Sequence, residues 1–92
     1  YNAWAYSLLG LLYKTIGEIE KSNEVYDRGI STFKKLAEEN PDDTFPYFEI
    51  ATLYENKGDI KNAIKYYRKV IELNPFDYLA TQRIKKLEGK RW

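Results

Sequence analysis

The chain has 92 residues, with 15 Lys and Arg against 14 Asp and Glu, and it contains no cysteine, histidine or methionine. These absences exclude disulfides, thiolate metal sites, cysteine nucleophiles and histidine bases. No apolar run reaches the roughly 18 residues of a membrane span, and no signal peptide is visible. We therefore expect one small domain, residues 1–92, with no cofactor and with the cytoplasm as the default compartment. The absence of an initiating methionine suggests a piece of a longer protein.

The charges are unevenly distributed along the chain. Residues 1–56 carry five basic and ten acidic side chains, whereas residues 57–92 carry ten basic and four acidic ones. Two interpretations remain open. The charges either solvate the helix faces, or they serve to bind an acidic partner at the basic half or to stack copies of the chain head to tail.

Residues 3–16 form the first predicted helix, because apolar and small residues recur there at i, i+3, i+4 and i+7. This core-facing stripe consists of Tyr6, Leu9, Gly10 and Tyr13. The helix is apolar nearly all round, since further large apolar residues lie outside the stripe, namely Trp4, Leu8, Leu11 and Leu12. Such a helix is normally covered on every side. An upstream helix, a second copy of the chain or a bound ligand could supply the cover.

The second predicted helix starts near Glu18, after a turn at Gly17, and ends at Asn40-Pro41. Its stripe comprises Ile19, Ser22, Tyr26, Gly29, Ile30, Phe33, Leu36 and Ala37. The stripe is unusually long. It predicts a helix about two turns longer than its neighbours.

The third and fourth predicted helices lie within residues 44–77. The third carries its stripe at Tyr47, Ile50, Ala51 and Tyr54, and the fourth carries Ile60, Ala63, Ile64, Tyr67, Val70 and Ile71. Between them, Gly58 can take the left-handed conformation and Asp59 can cap the next helix. The paired carboxylates of Asp42 and Asp43 could in principle serve acid–base chemistry or bind a cation. Their place before a helix start favours capping by Asp43 or Thr44.

An internal repeat relates the two halves of the chain. The stripe of the first helix matches that of the third at a constant offset of 41, from Tyr6 to Tyr47, and Gly17 matches Gly58 in the same way. In order and spacing these positions resemble the tetratricopeptide repeat, a helix hairpin of roughly 34 residues. The resemblance covers repeat one at 3–41 and repeat two at 44–77. It implies an all-α fold of about five helices, a right-handed superhelical stack of antiparallel helix hairpins.

The seven residues beyond the usual repeat length fall between Gly29 and Pro41, and they extend the second helix by roughly 10 Å. This extension carries Phe33 and Leu36. We expect the segment 40–46, with Phe45, to fold back over them. The alternative is a docking ledge for a partner.

Residues 77–89 are predicted to form a capping helix that begins after Asp77. Its apolar side consists of Leu79, Ala80, Ile84 and Leu87, and its polar side of Gln82, Arg83, Lys85 and Lys86. A polar outer face keeps a terminal repeat soluble. Gly89 should release the chain, which leaves residues 90–92 frayed.

The resemblance implies a non-catalytic protein that binds a peptide or partner helix in a concave groove lined by the first helix of each hairpin. The groove positions of the family fall here on Trp4, Leu8, Leu11, Phe45, Phe48, Thr52, Glu55, Leu79, Arg83 and Lys86. Some relatives clamp a C-terminal carboxylate with Lys and Asn at two first-repeat positions. This chain has Ser7 and Leu11 there, so we reject that mode.

Self-association and nucleic-acid binding are the two other function classes that the sequence suggests. A self-association module, forming a homodimer or a head-to-tail stack, would explain the charge asymmetry and the apolar first helix. Nucleic-acid binding through the basic end, with Tyr78 or Trp92 for stacking, is opposed by the acidic first half, so we expect none. Catalytic and metal sites are not expected either, because the chain lacks a nucleophile–base pair, a ligand set and a phosphate-binding loop.

Overall fold

The computed structural model describes residues 3–89, which form an array of helix hairpins. The five helices are α1 (Ala3–Thr15), α2 (Ile19–Glu39), α3 (Thr44–Lys57), α4 (Ile60–Leu73) and α5 (Tyr78–Gly89). Within this range no strand is present. Each helix packs against the next one in sequence, and α1 also contacts α3. The Cα atoms span 38 × 36 × 16 Å, so the array is a thin slab. The predicted all-α fold is confirmed.

The helix ends follow the predicted turn and cap chemistry. Gly17 and Gly58 have φ values of 86° and 93°, in the left-handed region that glycine adopts without strain. Asp43 accepts a hydrogen bond from the Phe45 amide at 3.0 Å, and Asp59 accepts one from the Asn62 amide at 3.2 Å. The capping interpretation of the acidic cluster is therefore confirmed for Asp43.

Aspartate carboxylates cap α4 and α5. The Asn62 side chain also donates to Asp59 at 2.8 Å, and this hydrogen bond is the main cause that lowers the pKa of the Asp59 carboxyl. Asp77 caps α5 by accepting from the Ala80 amide at 2.9 Å. The helix α5 runs through Gly89, and residues 90–92, which we expected to fray, lie outside the described residues.

Helix α2 is the longest element, with 21 residues against 12 to 14 in the others. Its additional turns are covered within the chain. Phe33 is fully buried, and the Phe45 ring meets it edge to face with the ring centroids 5.9 Å apart. Tyr6 of α1 packs against Phe33 in the same manner, at 6.2 Å. The contact from Phe45 agrees with the predicted fold-back of the 40–46 segment.

The core consists of two clusters that follow one another along the slab. The first joins α2 to α3 and comprises Tyr26, Ile30, Phe33, Ile50 and Leu53. The second joins α3, α4 and α5 and comprises Ala51, Ala63, Ile64, Tyr67, Val70, Ala80, Ile84 and Leu87. Because α3 contributes to both clusters, it is the central element of the array.

Two stripe residues of the first repeat were wrongly predicted to face the core. Leu9 is 45% exposed, although its repeat counterpart Ile50 is 1% exposed. Ile50 is buried because α2 packs against it, whereas the described residues contain no helix on the corresponding side of α1. Ile19, at the start of α2, is likewise 51% exposed. Burial at equivalent repeat positions thus depends on which neighbouring helix is present.

Leu53 is a core residue that the sequence did not predict, because it lies outside the apolar stripe of α3. It is 1% exposed and belongs to the cluster shared with α2. Its counterpart at the offset of 41 is Leu12, which is exposed. Helix α3 therefore buries two faces, one against each neighbouring helix pair, and a single periodic stripe describes only one of them.

Candidate protein-binding surface

The first helices of the two hairpins and α5 are linked side by side through α3. Lys14 of α1 donates its ammonium to the carbonyl of Asn56 in α3 at 3.4 Å. On the other side of α3, Arg83 of α5 lies 3.5 Å from the Glu55 carboxylate. These contacts bring α1, α3 and α5 next to one another along one surface.

At the centre of this surface, four predicted site residues gather around Tyr67 of α4. The Tyr67 hydroxyl donates to Glu55 at 2.8 Å and lies 3.2 Å from the Thr52 hydroxyl. The Phe48 ring packs edge to face on the Tyr67 ring, with centroids 5.3 Å apart. Arg83 completes the set through its pair with Glu55.

Tyr67 itself was not among the predicted site residues, because its position was assigned to the core of the hairpin. Its side chain is fully buried, and burial is the main cause that raises the pKa of its phenol. The hydroxyl therefore stays protonated and remains a donor to Glu55. A tyrosine side chain on the second helix of a repeat is long enough to contact residues on the surface of the first helix. The length of this side chain is the signal that could have identified Tyr67 as a site residue.

The Glu55–Arg83 pair gives the centre of the surface charges of both signs. The Glu55 side chain is mostly buried, at 16% exposure, and Arg83 is 41% exposed. A partly exposed pair of this kind contributes only about 0–1 kcal/mol to folding. The Arg83 guanidinium is partly exposed, so the arrangement can meet polar groups of a partner as well as apolar ones.

The remaining predicted site residues are exposed and take no part in this network. In α1 these are Trp4, Leu8 and Leu11, and in α5 they are Leu79 and Lys86. Phe45 contributes both to the core and to the exposed surface, since its ring contacts Phe33 while 45% of the residue stays exposed. The structure thus brings four of the ten predicted residues into one network and leaves the others accessible around it.

Among residues 3–89, no group of three or more Asp and Glu side chains is placed to hold a metal ion. In that same range no helix is long and apolar enough to cross a bilayer. Of the side chains considered for nucleic-acid binding, Lys90, Arg91 and Trp92 lie outside the described residues.

Stacked helix hairpins with an accessible first-helix surface define a helical-repeat protein of the kind that contacts other proteins. The tetratricopeptide repeat model matches residues 5–34 and 46–77, which together make up two thirds of the chain. The chain therefore belongs to the tetratricopeptide repeat family, as the sequence resemblance predicted. Repeats of this family generally mediate protein–protein interaction and are typically non-catalytic.

Three curated proteins are similar to the chain in sequence. A TPR repeat-containing protein of Methanocaldococcus jannaschii is 33% identical over 65% of the chain and 19% of its own length. The Photosystem I assembly protein Ycf3 of Cyanophora paradoxa is 29% identical over 80% of the chain and 40% of its own length. Superkiller complex protein 3 of Mus musculus is 30% identical over 73% of the chain and 4% of its own length. The chain spans less than half the length of each of these relatives.

Proposed function

We propose that the chain is a non-catalytic interaction module that holds an extended peptide or a partner helix on the surface formed by α1, α3 and α5. The observation that carries this proposal is the network around Tyr67, which fixes Phe48, Thr52, Glu55 and Arg83 in one arrangement. A rigid set of aromatic and charged groups binds with little loss of side-chain freedom. The names of the relatives, an assembly protein and a complex subunit, support a partner-binding role.

The surface favours a partner that presents apolar side chains at one end and polar ones at the other. Trp4, Leu8 and Leu11 offer exposed apolar area on α1, while Glu55 and Arg83 offer hydrogen bonds between α3 and α5. Aromatic and arginine side chains are the residue types that most often dominate interface energies. We therefore place the main anchor contact at Phe48, between these two ends.

The proposal predicts that Phe48→Ala weakens binding of a selected peptide. Peptides would be selected from a random displayed library on the immobilised wild-type protein, and their affinities measured by fluorescence anisotropy. We expect a Kd about 30-fold weaker for Phe48→Ala, equivalent to about 2 kcal/mol. Leu11→Ser, at an exposed position, should also weaken binding without affecting the fold.

Phe76→Ala is the matched control, because Phe76 is 92% exposed and lies in the turn before α5. It should bind like the wild type. Unchanged affinity in both Phe48→Ala and Leu11→Ser would show that the peptide binds elsewhere on the molecule.

We propose self-association as the second candidate function, because α1 exposes apolar side chains that its counterpart α3 buries. The exposed residues of α1 and of the turn after it include Trp4, Leu8, Leu9, Leu11, Leu12 and Ile16. Monomeric proteins rarely expose contiguous apolar patches larger than a few hundred Å². A second copy packed on α1 would cover these side chains, and standard interfaces bury roughly 800 Å² per partner.

Light scattering tests this second proposal across a tenfold range of protein concentration and at two salt levels. We expect a dimer whose fraction rises with concentration, and we expect Leu12→Glu to return the mass to that of a monomer. Tyr78→Glu, at an exposed position on α5, is the control and should leave the dimer intact. Association that weakens with salt would assign the contact to the acidic and basic halves instead. A monomer under every condition would refute self-association.

A further inference from the structure

A groove lies on the opposite side of the array, between the C-terminal half of α2 and the exposed face of α4. It consists of two adjoining hollows of about 860 and 320 Å³, and both are lined by Tyr47 and Tyr66. The larger hollow extends along Lys61, Lys65 and Lys69 of α4. We call it the lysine–tyrosine groove. It is separate from the surface that carries Phe48 and Arg83, neither of which lines it.

The additional turns of α2 build one wall of this groove. The smaller hollow is lined by Lys34, Ala37, Glu38 and Pro41, and the last three of these lie beyond residue 34, where the family match to repeat one ends. With a second helix of ordinary length, this wall would end about two turns earlier. The smaller hollow is therefore a property of this chain's lengthened helix, whereas the larger one is lined by residues of α3 and α4.

The floor of the groove is aromatic and its rim is cationic. The Lys34 ammonium lies 5.7 Å from the Tyr54 ring centroid and 5.9 Å from that of Tyr66, and it donates to the Tyr54 hydroxyl at 3.2 Å. Lys65 lies 5.6 Å from the Tyr66 ring centroid, and Lys69 lies 5.7 Å from that of Tyr47. Contacts of this type hold the ammonium groups close to the rings.

The positive charges of the groove are incompletely neutralised. Lys69 pairs with Glu72 at 3.7 Å, and the neighbouring Arg68 pairs with Glu88 at 3.0 Å. Within residues 3–89, the ammonium groups of Lys34, Lys61 and Lys65 have no carboxylate within ion-pair distance. A ligand that fits the groove therefore carries negative charge.

The spacing of the lysines matches an extended peptide. Lys61, Lys65 and Lys69 recur every four residues, which corresponds to steps of about 6 Å along the axis of α4. Alternate residues of an extended chain are about 6.6 Å apart and point to the same side. The intervening residues then face away from the lysines, and Pro41 offers exposed apolar surface in the adjoining smaller hollow.

We propose that the lysine–tyrosine groove binds an extended acidic peptide of a partner protein, with carboxylates at alternate positions on the lysines of α4 and apolar side chains toward α2. A nucleic acid fits less well, because the α2 end of the groove is acidic. Glu38 lines the smaller hollow, and Glu39, Asp42 and Asp43 follow it in sequence. A phosphate at every residue would meet these carboxylates, whereas a peptide carries charge only where lysines lie.

The test uses a fluorescein-labelled nine-residue peptide in which glutamate alternates with leucine, and a matched peptide with glutamine in place of glutamate. Fluorescence anisotropy gives the Kd, and the amide shifts of the ¹⁵N-labelled chain locate the site. We expect the glutamate peptide to bind at least tenfold more tightly than the glutamine peptide, with shifts concentrated in residues 61–72. The double substitution Lys61→Glu/Lys65→Glu should weaken the Kd by at least tenfold.

Lys85→Glu is the control for charge, since it makes the same change as each of the two single groove substitutions, at an exposed position of α5 outside the groove. It should change the Kd less than twofold. Three results would overturn the proposal: no binding of the glutamate peptide at millimolar concentration, shifts confined to α1, α3 and α5, or tighter binding of a single-stranded oligothymidylate at residues 61–72. The last result would identify the groove as a nucleic-acid site. Binding at Phe48 is tested separately, so either proposal can fail alone.

Discussion

Gly10→Ala is expected to lower the free energy of unfolding by about 3 kcal/mol, as measured by urea denaturation. A Cβ atom at Gly10 would lie within van der Waals overlap of the Tyr26 ring, 2.2 Å from Cε1 and 2.6 Å from Cζ. Elsewhere in a helix the same substitution is stabilising by up to about 1 kcal/mol, because alanine is the better helix former. The sign of the effect therefore reports the close approach of α1 and α2.

The overlap cannot be relieved by a small local shift. Tyr26 is 1% exposed and belongs to the cluster between α2 and α3, so its ring has no free space to move into. The Gly10 carbonyl also accepts a hydrogen bond from the buried Ser22 hydroxyl at 2.7 Å, which ties the two helices together at this level. Added volume in a packed core forces side chains out of their preferred rotamers.

Gly89→Ala serves as the control, because nothing lies within 4 Å of a Cβ at that position. It should leave stability unchanged or slightly raised. If Gly10→Ala were as stable as the wild type, α1 would have to sit further from Tyr26 than the structure shows.

Phe33→Ala is expected to cost about 3–5 kcal/mol of folding free energy, the range for removal of a buried aromatic ring. Phe33 is fully buried and contacts Tyr6 of α1 and Phe45 of α3, so it joins three helices. Thermal and urea unfolding would both report the loss. For a domain of this small size, such a loss brings the protein close to unfolding at room temperature.

Phe76→Ala removes the same ring from an exposed position and should change the stability by less than about 0.5 kcal/mol. Comparable losses in the two variants would mean that ring burial at Phe33 is not what stabilises the array. A small loss at Phe33 alone would indicate that Phe45 and Tyr6 collapse into the space.

The features predicted well from the sequence are those that depend on local chemistry. The caps at Asp43 and Asp59 and the left-handed turns at Gly17 and Gly58 each require only a few neighbouring residues. The repeat offset and the family positions identified the fold in the same way. Four of the predicted groove residues lie together in one network because the repeat fixes their helix face, and their role in binding stays a prediction.

The incorrect predictions of burial arise where a side chain is covered by a helix that is distant in sequence. Leu9 and Ile50 occupy equivalent positions, yet only Ile50 meets α2. Leu53 is buried by the same helix, although it lies off the stripe that the periodicity indicated. The lysine–tyrosine groove could not be predicted because it joins residues of α2, α3 and α4 that become neighbours only in the folded array.

The open side of α1 also shapes how the free energy of folding is distributed through the array. In a repeat protein, stability is approximately a sum of terms for each unit and for each contact between units. Among the five described helices, α3 has packing partners on both sides, whereas α1 packs mainly against α2 and in part against α3. The first helix should therefore detach at a lower free energy than the rest, and its amides should exchange with solvent fastest among the helices. A partner that covers α1 would raise the free energy needed to detach this helix. The amides of all five helices would then be protected from exchange as one cooperative unit.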